Sequence, residues 1–137
     1  AVATGRTGIA GSAAGLANMP NMSMYNVTKA AVISLMETLY AELYSFGVTV
    51  SVVCPTFFRS NVMQFNRGDK QATAIGQHII QRAKYSPDEI ADYVLTQAGK
   101  NVFYVLHPYQ ARLVFHIKRF LPNLFLRYKA KEFAKKD

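Results

Sequence analysis

The chain has 137 residues, of which half are hydrophobic and 18% are charged, and it contains one cysteine. This length suits one domain with a buried core, and the composition and cysteine count exclude a disordered chain and a disulfide framework. The net charge of +8 is concentrated after residue 111, where eight Lys or Arg accompany only two Asp or Glu.

The first long predicted element is a helix. Residues 1–15 are dominated by Ala, Gly, Thr and Ser and lack the β-branched run typical of a strand. Ser23 is a good N-cap, and apolar residues follow it at helical spacing as far as Gly47, a natural C-terminal stop. This pattern predicts a helix from about Met24 to Ser45.

A buried strand is predicted directly after this helix. Residues 48–54 are β-branched and almost wholly apolar, and Pro55 ends the run. Such a run is typical of a parallel strand covered by helices on both faces. Cys54 lies inside it, which predicts a buried, inert thiol and fits a reducing, cytosolic compartment.

The second half of the chain predicts a helix, a strand and a helical tail. Ser86 is an N-cap followed by Pro and two acidic residues, which predicts a helix that runs to about Ala98. A second short strand is predicted over residues 102–106. Pro122 is expected to divide the region 109–137 into two helices.

Candidate chemistry first appears in the stretch SMYNVTKAA, which begins at Ser23. Tyr25 and Lys29 are four residues apart, so on a helix they share one face with Cβ atoms about 5–6 Å apart. A protonated Lys29 favours the phenolate of Tyr25, the tuning that a general acid/base needs near neutral pH. The spacing alone also fits an ordinary solvated pair of helix side chains.

Further motifs occur in a fixed order around this pair. The serine motif lies upstream, with Tyr25 thirteen residues after its serine, and the proline motif follows the first buried strand. These two motifs are Ser12-Ala13-Ala14-Gly15 and Pro55-Thr56-Phe57-Phe58-Arg59-Ser60. From Ser12 to Leu106, the chain resembles the C-terminal half of a short-chain dehydrogenase/reductase.

The resemblance implies a fold and a division into two parts. The expected class is α/β, with part of a Rossmann-type, doubly wound parallel sheet. Residues 1–108 would form the C-terminal portion of an NAD(P)-binding domain, and residues 109–137 a basic amphipathic helical tail.

The resemblance also implies roles for individual residues. Tyr25 would exchange a proton with the substrate oxygen, Lys29 would hold the nicotinamide ribose and tune Tyr25, and Ser12 would orient the substrate carbonyl. The cofactor is NAD or NADP, with no preference indicated. The implied cofactor-binding positions are Tyr25, Lys29, Pro55, Thr56, Phe58 and Ser60.

Two features depart from the family pattern. The family's Pro-Gly-x-x-x-Thr has Thr56 in place of the glycine and Ser60 in place of the threonine. The sequence also lacks the Gly-rich turn that holds the pyrophosphate, since the glycines of residues 4–11 have a different spacing. We interpret residues 4–11 as a variant of the strand that precedes the serine.

Three functional hypotheses follow. The first is an NAD(P)-dependent oxidoreductase that acts on a small, apolar carbonyl or alcohol substrate and assembles as a homo-oligomer. The second is a truncated, non-catalytic family chain that serves as an interaction or dimerisation module. The third is a peripheral membrane module that binds through the region 109–137, although solvated helix faces also explain that region's charge.

Other classes of partner lack support in the sequence. The spacing of the three histidines suggests no metal site, and no nucleic-acid-binding module accompanies the basic charge. There is no signal-peptide pattern and no run of 18 apolar residues. The expected location is therefore cytoplasmic, with peripheral membrane contact as an option.

Overall fold

The computed structural model describes residues 5–59, 77–78 and 80–135. Within them, three parallel strands form one sheet in the order β1-β2-β3, which confirms the α/β class. The strands are β1 (Arg6–Ala10), β2 (Thr49–Pro55) and β3 (Tyr104–His107). The helices are α1 (Ala13–Ala17), α2 (Ser23–Leu43), α3 (Pro87–Gly99), α4 (Tyr109–Phe120) and α5 (Pro122–Ala134), and a 3-10 turn (Tyr44–Phe46) follows α2.

The central strand β2 carries the core. Val50, Val52 and Cys54 are fully buried, and Met36 of α2 packs against them. β-Branched side chains suit this position because they pack well on a pleated surface with neighbours on both sides. The predicted buried strand is thereby confirmed, displaced by one residue at each end.

Strand β1 forms although its sequence has no strand-like run. All five of its residues are exposed, and it is held by pairing with β2 from Arg6 opposite Thr49 to Ala10 opposite Val53. The interpretation of residues 4–11 as a variant strand is confirmed for Arg6–Ala10. Backbone pairing, rather than burial of side chains, determines its structure.

Helix α2 begins and ends close to the predicted boundaries. Its first residue is Ser23 and its N-cap is Met22, so the prediction of Ser23 as N-cap is wrong by one position, a common uncertainty at helix ends. Gly47 caps the following 3-10 turn with a φ of 68°, a left-handed conformation that glycine adopts without a Cβ penalty.

Helix α3 has the predicted capping. Ser86 accepts a hydrogen bond from the Glu89 N–H, and the Glu89 carboxylate accepts one from the Ser86 N–H. Strand β3 begins two residues later than predicted. The carbonyl of Val102 accepts a hydrogen bond from the Ser51 hydroxyl, and the paired positions start only at Tyr104.

Helices α4 and α5 are separated at Pro122, as the sequence predicts. Helix α4 packs against both β3 and α1, which brings the C-terminal region beside the segment that follows β1. The proposed division of the chain at residue 108 stays a prediction. Among the helices that the structure describes, none has the length and apolarity needed to cross a bilayer.

Candidate active site

The carboxyl ends of the three parallel strands define the candidate site. Strand β1 ends at Ala10, β2 at Pro55 and β3 at His107, and the chain turns away from the sheet at each point. In open α/β sheets, ligands bind in the crevice outside these ends. Ser12 and Thr56 each follow one of the strands within two residues.

Ser12 is fixed as the N-cap of α1. Its Oγ accepts a hydrogen bond from the Ala14 N–H at 3.1 Å, and its backbone is extended, as an N-cap requires. This bond occupies a lone pair on the oxygen and does not use the hydroxyl hydrogen. Ser12 can therefore donate that hydrogen to a carbonyl oxygen while it caps the helix.

Gly15 allows α1 to touch α2 through the backbone. A Cβ at Gly15 would lie 2.7 Å from the carbonyl carbon of Lys29 and 2.9 Å from the Ala30 nitrogen. Any side chain would overlap main-chain atoms, which cannot rotate away as a flexible side chain can. This close contact brings the turn that begins at Ser12 against the turn that carries Lys29.

Cys54 lies at the end of β2 beside the segment that leads into α1, since a Cβ at Gly11 would be 3.2 Å from its Sγ. Burial raises the pKa of its thiol to about 11, while a backbone hydrogen bond with Ser12 and the positive charge of Lys29 act in the opposite direction. The Gly11 contact sets the chain just before Ser12 against the carboxyl end of β2, and the Gly15 contact joins α1 to the backbone of Lys29. The predicted buried thiol is confirmed, and its raised pKa makes it a poor nucleophile.

Tyr25 and Lys29 lie side by side at the start of α2. The Lys29 Nζ is 5.7 Å from the centroid of the Tyr25 ring. Tyr25 is 42% exposed, so its ring is accessible to a ligand, whereas Lys29 is half-buried. The helix therefore presents a phenol and an ammonium group together, as the i, i+4 spacing predicts.

The structure describes the proline motif only in part. The Thr56 N–H donates to the carbonyl of His107 at 3.0 Å, which extends the pairing of β2 with β3 past Pro55. This donor is therefore engaged within the protein, while Phe58 is half-buried close to the same strand end. Ser60 lies outside the described residues, and the cofactor-binding roles of this motif stay predictions.

Asn26 is a site residue that sequence reasoning missed. Its Nδ2 donates to the Met19 carbonyl at 2.7 Å, and its Oδ1 accepts from the Met19 N–H at 3.3 Å. These bonds fasten the loop after α1 to the helical turn that contains Tyr25. The sequence offered only the weak signal that Asn is a poor helix former inside a predicted helix, since its burial is visible only in the structure.

Comparison with known proteins places these residues in a family. A family model described as short chain dehydrogenase matches residues 4–71, which include Ser12, Tyr25 and Lys29. The chain is also similar to a solved short-chain dehydrogenase/reductase of Burkholderia phymatum in complex with NAD. The TM-score is 0.75 and the identity 26%, over 88% of this chain and 50% of that one.

Curated relatives agree with this match. The dehydrogenase/reductase SDR family member 7C of Xenopus tropicalis is 31% identical over 89% of this chain and 40% of its own length. The 3-oxoacyl-(acyl-carrier-protein) reductase FabG of Rickettsia prowazekii is 32% identical over 69% of this chain and 39% of its own length. The chain thus spans about two-fifths of the length of these relatives.

The close contact at Gly15 leads to a stability prediction. We expect Gly15→Ala to lower the free energy of unfolding by about 1–3 kcal/mol, since α1 must move away from α2 to accommodate the methyl group. Urea denaturation measures the change. The matched control is Gly99→Ala, because nothing lies within 4 Å of a Cβ at Gly99. Equal effects of the two substitutions would contradict the proposed contact.

Proposed function

Because the chain belongs to the short-chain dehydrogenase/reductase family, we propose that it serves NAD(P)-dependent oxidoreduction, in which a hydride passes between nicotinamide and a carbonyl or alcohol carbon. The observation that carries this proposal is the close contact of α1 with the Lys29 backbone at Gly15, with Ser12 at the start of α1 and Tyr25 beside Lys29. A hydroxyl donor, a phenol and a cation then border one crevice.

Each of these groups has a distinct task in the proposed reaction. The Ser12 hydroxyl donates a hydrogen bond to the substrate oxygen and orients it. In the reductive direction, the Tyr25 hydroxyl gives its proton to that oxygen as the carbonyl becomes an alcohol, and in oxidation the proton returns. The Lys29 ammonium stabilises the phenolate that remains after proton transfer.

The donor set also fits the nicotinamide riboside part of the cofactor. When bound, NAD(P) supplies or accepts the hydride. A half-buried ammonium such as Lys29 suits ribose hydroxyls, and backbone groups near Pro55 and Phe58 suit a carboxamide. The solved Burkholderia phymatum relative, which holds NAD, supports this assignment.

An apolar substrate is the class that the surroundings favour. The loop that Asn26 fastens contains Met19 and Met22, both half-buried, and Phe57 is partly exposed after β2. Side chains of this type provide apolar contacts beside the polar groups that orient a carbonyl. The related 3-oxoacyl reductase of Rickettsia prowazekii, by its name, acts on a carbonyl compound.

We also propose that α2 mediates association with a second copy of the chain. The interaction-module hypothesis depends on such an association. Its outer face carries exposed side chains that recur at helical spacing and lie opposite the buried Ile33. These residues are Met24, Val27, Ala31 and Leu35. A self-complementary apolar stripe of this kind suits a two-fold symmetric contact.

A membrane surface is the second candidate partner, and α5 supplies the specific observation. At 100° per residue, Leu124 and Tyr128 share one helix face with Arg127 and Lys131, and all four side chains are exposed. Exposed apolar side chains flanked by cations are typical of helices that lie in the interface of anionic membranes.

Replacement of Tyr25 tests the proposed acid/base. We expect Tyr25→Phe to lower kcat at least about 100-fold, because it removes the hydroxyl proton and little else. The control is Tyr44→Phe, since Tyr44 is 73% exposed on the turn after α2. Turnover is followed by the absorbance of reduced nicotinamide with a panel of apolar ketones, and unchanged turnover would refute the assigned role.

Isothermal titration with NADH and NADPH separates the oxidoreductase from a non-catalytic module. The oxidoreductase hypothesis expects binding heat from the unsubstituted chain. Absence of heat for both nucleotides would favour the interaction module.

A charge on the outer face of α2 should weaken self-association. We expect Leu35→Asp to shift the chain toward the monomer, since Leu35 is 52% exposed at the C-terminal end of the apolar stripe. Leu95→Asp on α3 is the control, because Leu95 is similarly exposed, at 70%, on a different helix. Sedimentation equilibrium gives the association constant, and a similar constant for both variants would exclude this surface.

Charge reversal on α5 tests the membrane hypothesis. We expect the double substitution Arg127→Glu and Lys131→Glu to reduce binding to vesicles that contain phosphatidylserine at least tenfold, because each basic residue contributes about 1 kcal/mol near an anionic surface. Lys84→Glu with Lys100→Glu makes the same charge change elsewhere. Co-sedimentation with phosphatidylcholine alone provides the baseline, and equal binding by both double variants would rule out an α5-specific contact.

A further inference from the structure

Two lysines from the C-terminal helices contact the short segment that begins at Ser12. The Lys118 Nζ of α4 donates a hydrogen bond to the carbonyl of Leu16. The Lys129 Nζ of α5 lies 3.5 Å from the sulfur of Met19. Lys118 and Leu16 are 102 positions apart in the chain, and Lys129 and Met19 are 110 positions apart. Both contacts are therefore produced by the tertiary fold.

Lys118 differs from most of the other basic residues of its region in its surroundings, a property that it shares with Lys129. It is half-buried, and burial lowers the pKa of its ammonium group, whereas Arg119 and Lys131 are exposed. An ammonium group withdrawn from water must find acceptors within the protein, and the Leu16 carbonyl is such an acceptor. The side chain therefore has a directional partner inside the fold.

The segment 12–19 is consequently held from two sides. On the side of α2, Gly15 rests on the backbone at Lys29, and Asn26 binds both main-chain groups of Met19. A second helix, α4, also contacts this segment, since Lys118 binds the end of α1. Helix α1 has only five residues, so the carbonyl of Leu16 and the cap at Ser12 belong to one short helical unit.

We propose that Lys118 is a positioning residue for Ser12: it fixes the orientation of α1 through the Leu16 carbonyl, and α4 thereby becomes part of the substrate side of the site. The role assigned to Ser12 rests on the proposed oxidoreductase function. The contact itself does not, and it can be tested without any turnover.

Hydrogen exchange resolved by NMR tests the positioning directly. We expect Lys118→Met to accelerate exchange of the Ala14, Gly15 and Asn18 amides at least tenfold, because these N–H groups bond within α1 and lose protection when it moves. Lys118→Arg should restore protection, since it keeps a charged donor. Lys131→Met is the matched control on the exposed face of α5.

The exchange pattern decides the proposal in every case. Amides of β2 report the global fold, and they should remain protected in all variants. Unchanged exchange at Gly15 in Lys118→Met would overturn the proposal. Loss of β2 protection in Lys118→Met would also overturn the proposal, because Lys118 would then support the whole fold. Equal acceleration of exchange by Lys131→Met would overturn it too.

Kinetic measurements distinguish a positioning role of Lys118 from a purely structural role. Where turnover is measurable, Lys118→Met should lower kcat about tenfold and leave the Kd for NADH unchanged, with activity recovered in Lys118→Arg. A chain that neither binds NADH nor turns over a substrate would refute the proposed function. The exchange result at α1 does not depend on that outcome and would still test the contact of Lys118 with α1.

Discussion

The contact between Gly15 and the backbone of Lys29 is the constraint on which the candidate site depends. The contact requires a residue without a side chain at Gly15. The main chains of α1 and α2 can then approach within van der Waals distance. Ser12 and Lys29 come from different elements, and no hydrogen bond between them is needed because backbone packing determines their separation. The position of Tyr25 is then determined as well, because Tyr25 lies one turn before Lys29 on α2.

Around this contact, the site is assembled from polar groups that serve the main chain. Asn26 binds Met19, Thr56 binds the carbonyl of His107, and Ser12 caps its own helix. Each uses hydrogen bonds that bulk solvent would otherwise supply, so these polar groups at the strand ends have partners within the protein. Such preorganisation favours chemistry that needs a few donors at fixed positions.

The sequence predicted those features whose causes are local. The cap at Ser86, the stop at Gly47 and the buried run of β2 each follow from residues next to one another. The ordered motifs around Tyr25 predicted the family, which the comparisons confirm. Strand β1 had weak local signals because its pairing partner lies about 40 residues away.

Contacts between distant positions had no sequence signal at all. Lys118 looks like any lysine of a basic amphipathic helix, and only the tertiary fold sets it against Leu16. The close approach at Gly15 was equally hidden, since glycine also occurs in ordinary turns. Periodicity gives the faces of a helix but does not identify the neighbour that each face meets.

Chemical labelling of Cys54 can report local opening of the structure. Cys54 is the chain's single thiol, it is fully buried, and it lies at the end of β2 against Gly11, the residue before Ser12. A thiol-specific reagent can modify it only when the strand end or α1 moves aside. The rate of labelling therefore reports how often the end of β2 beside the candidate site opens to solvent, and a ligand bound at that site would slow it.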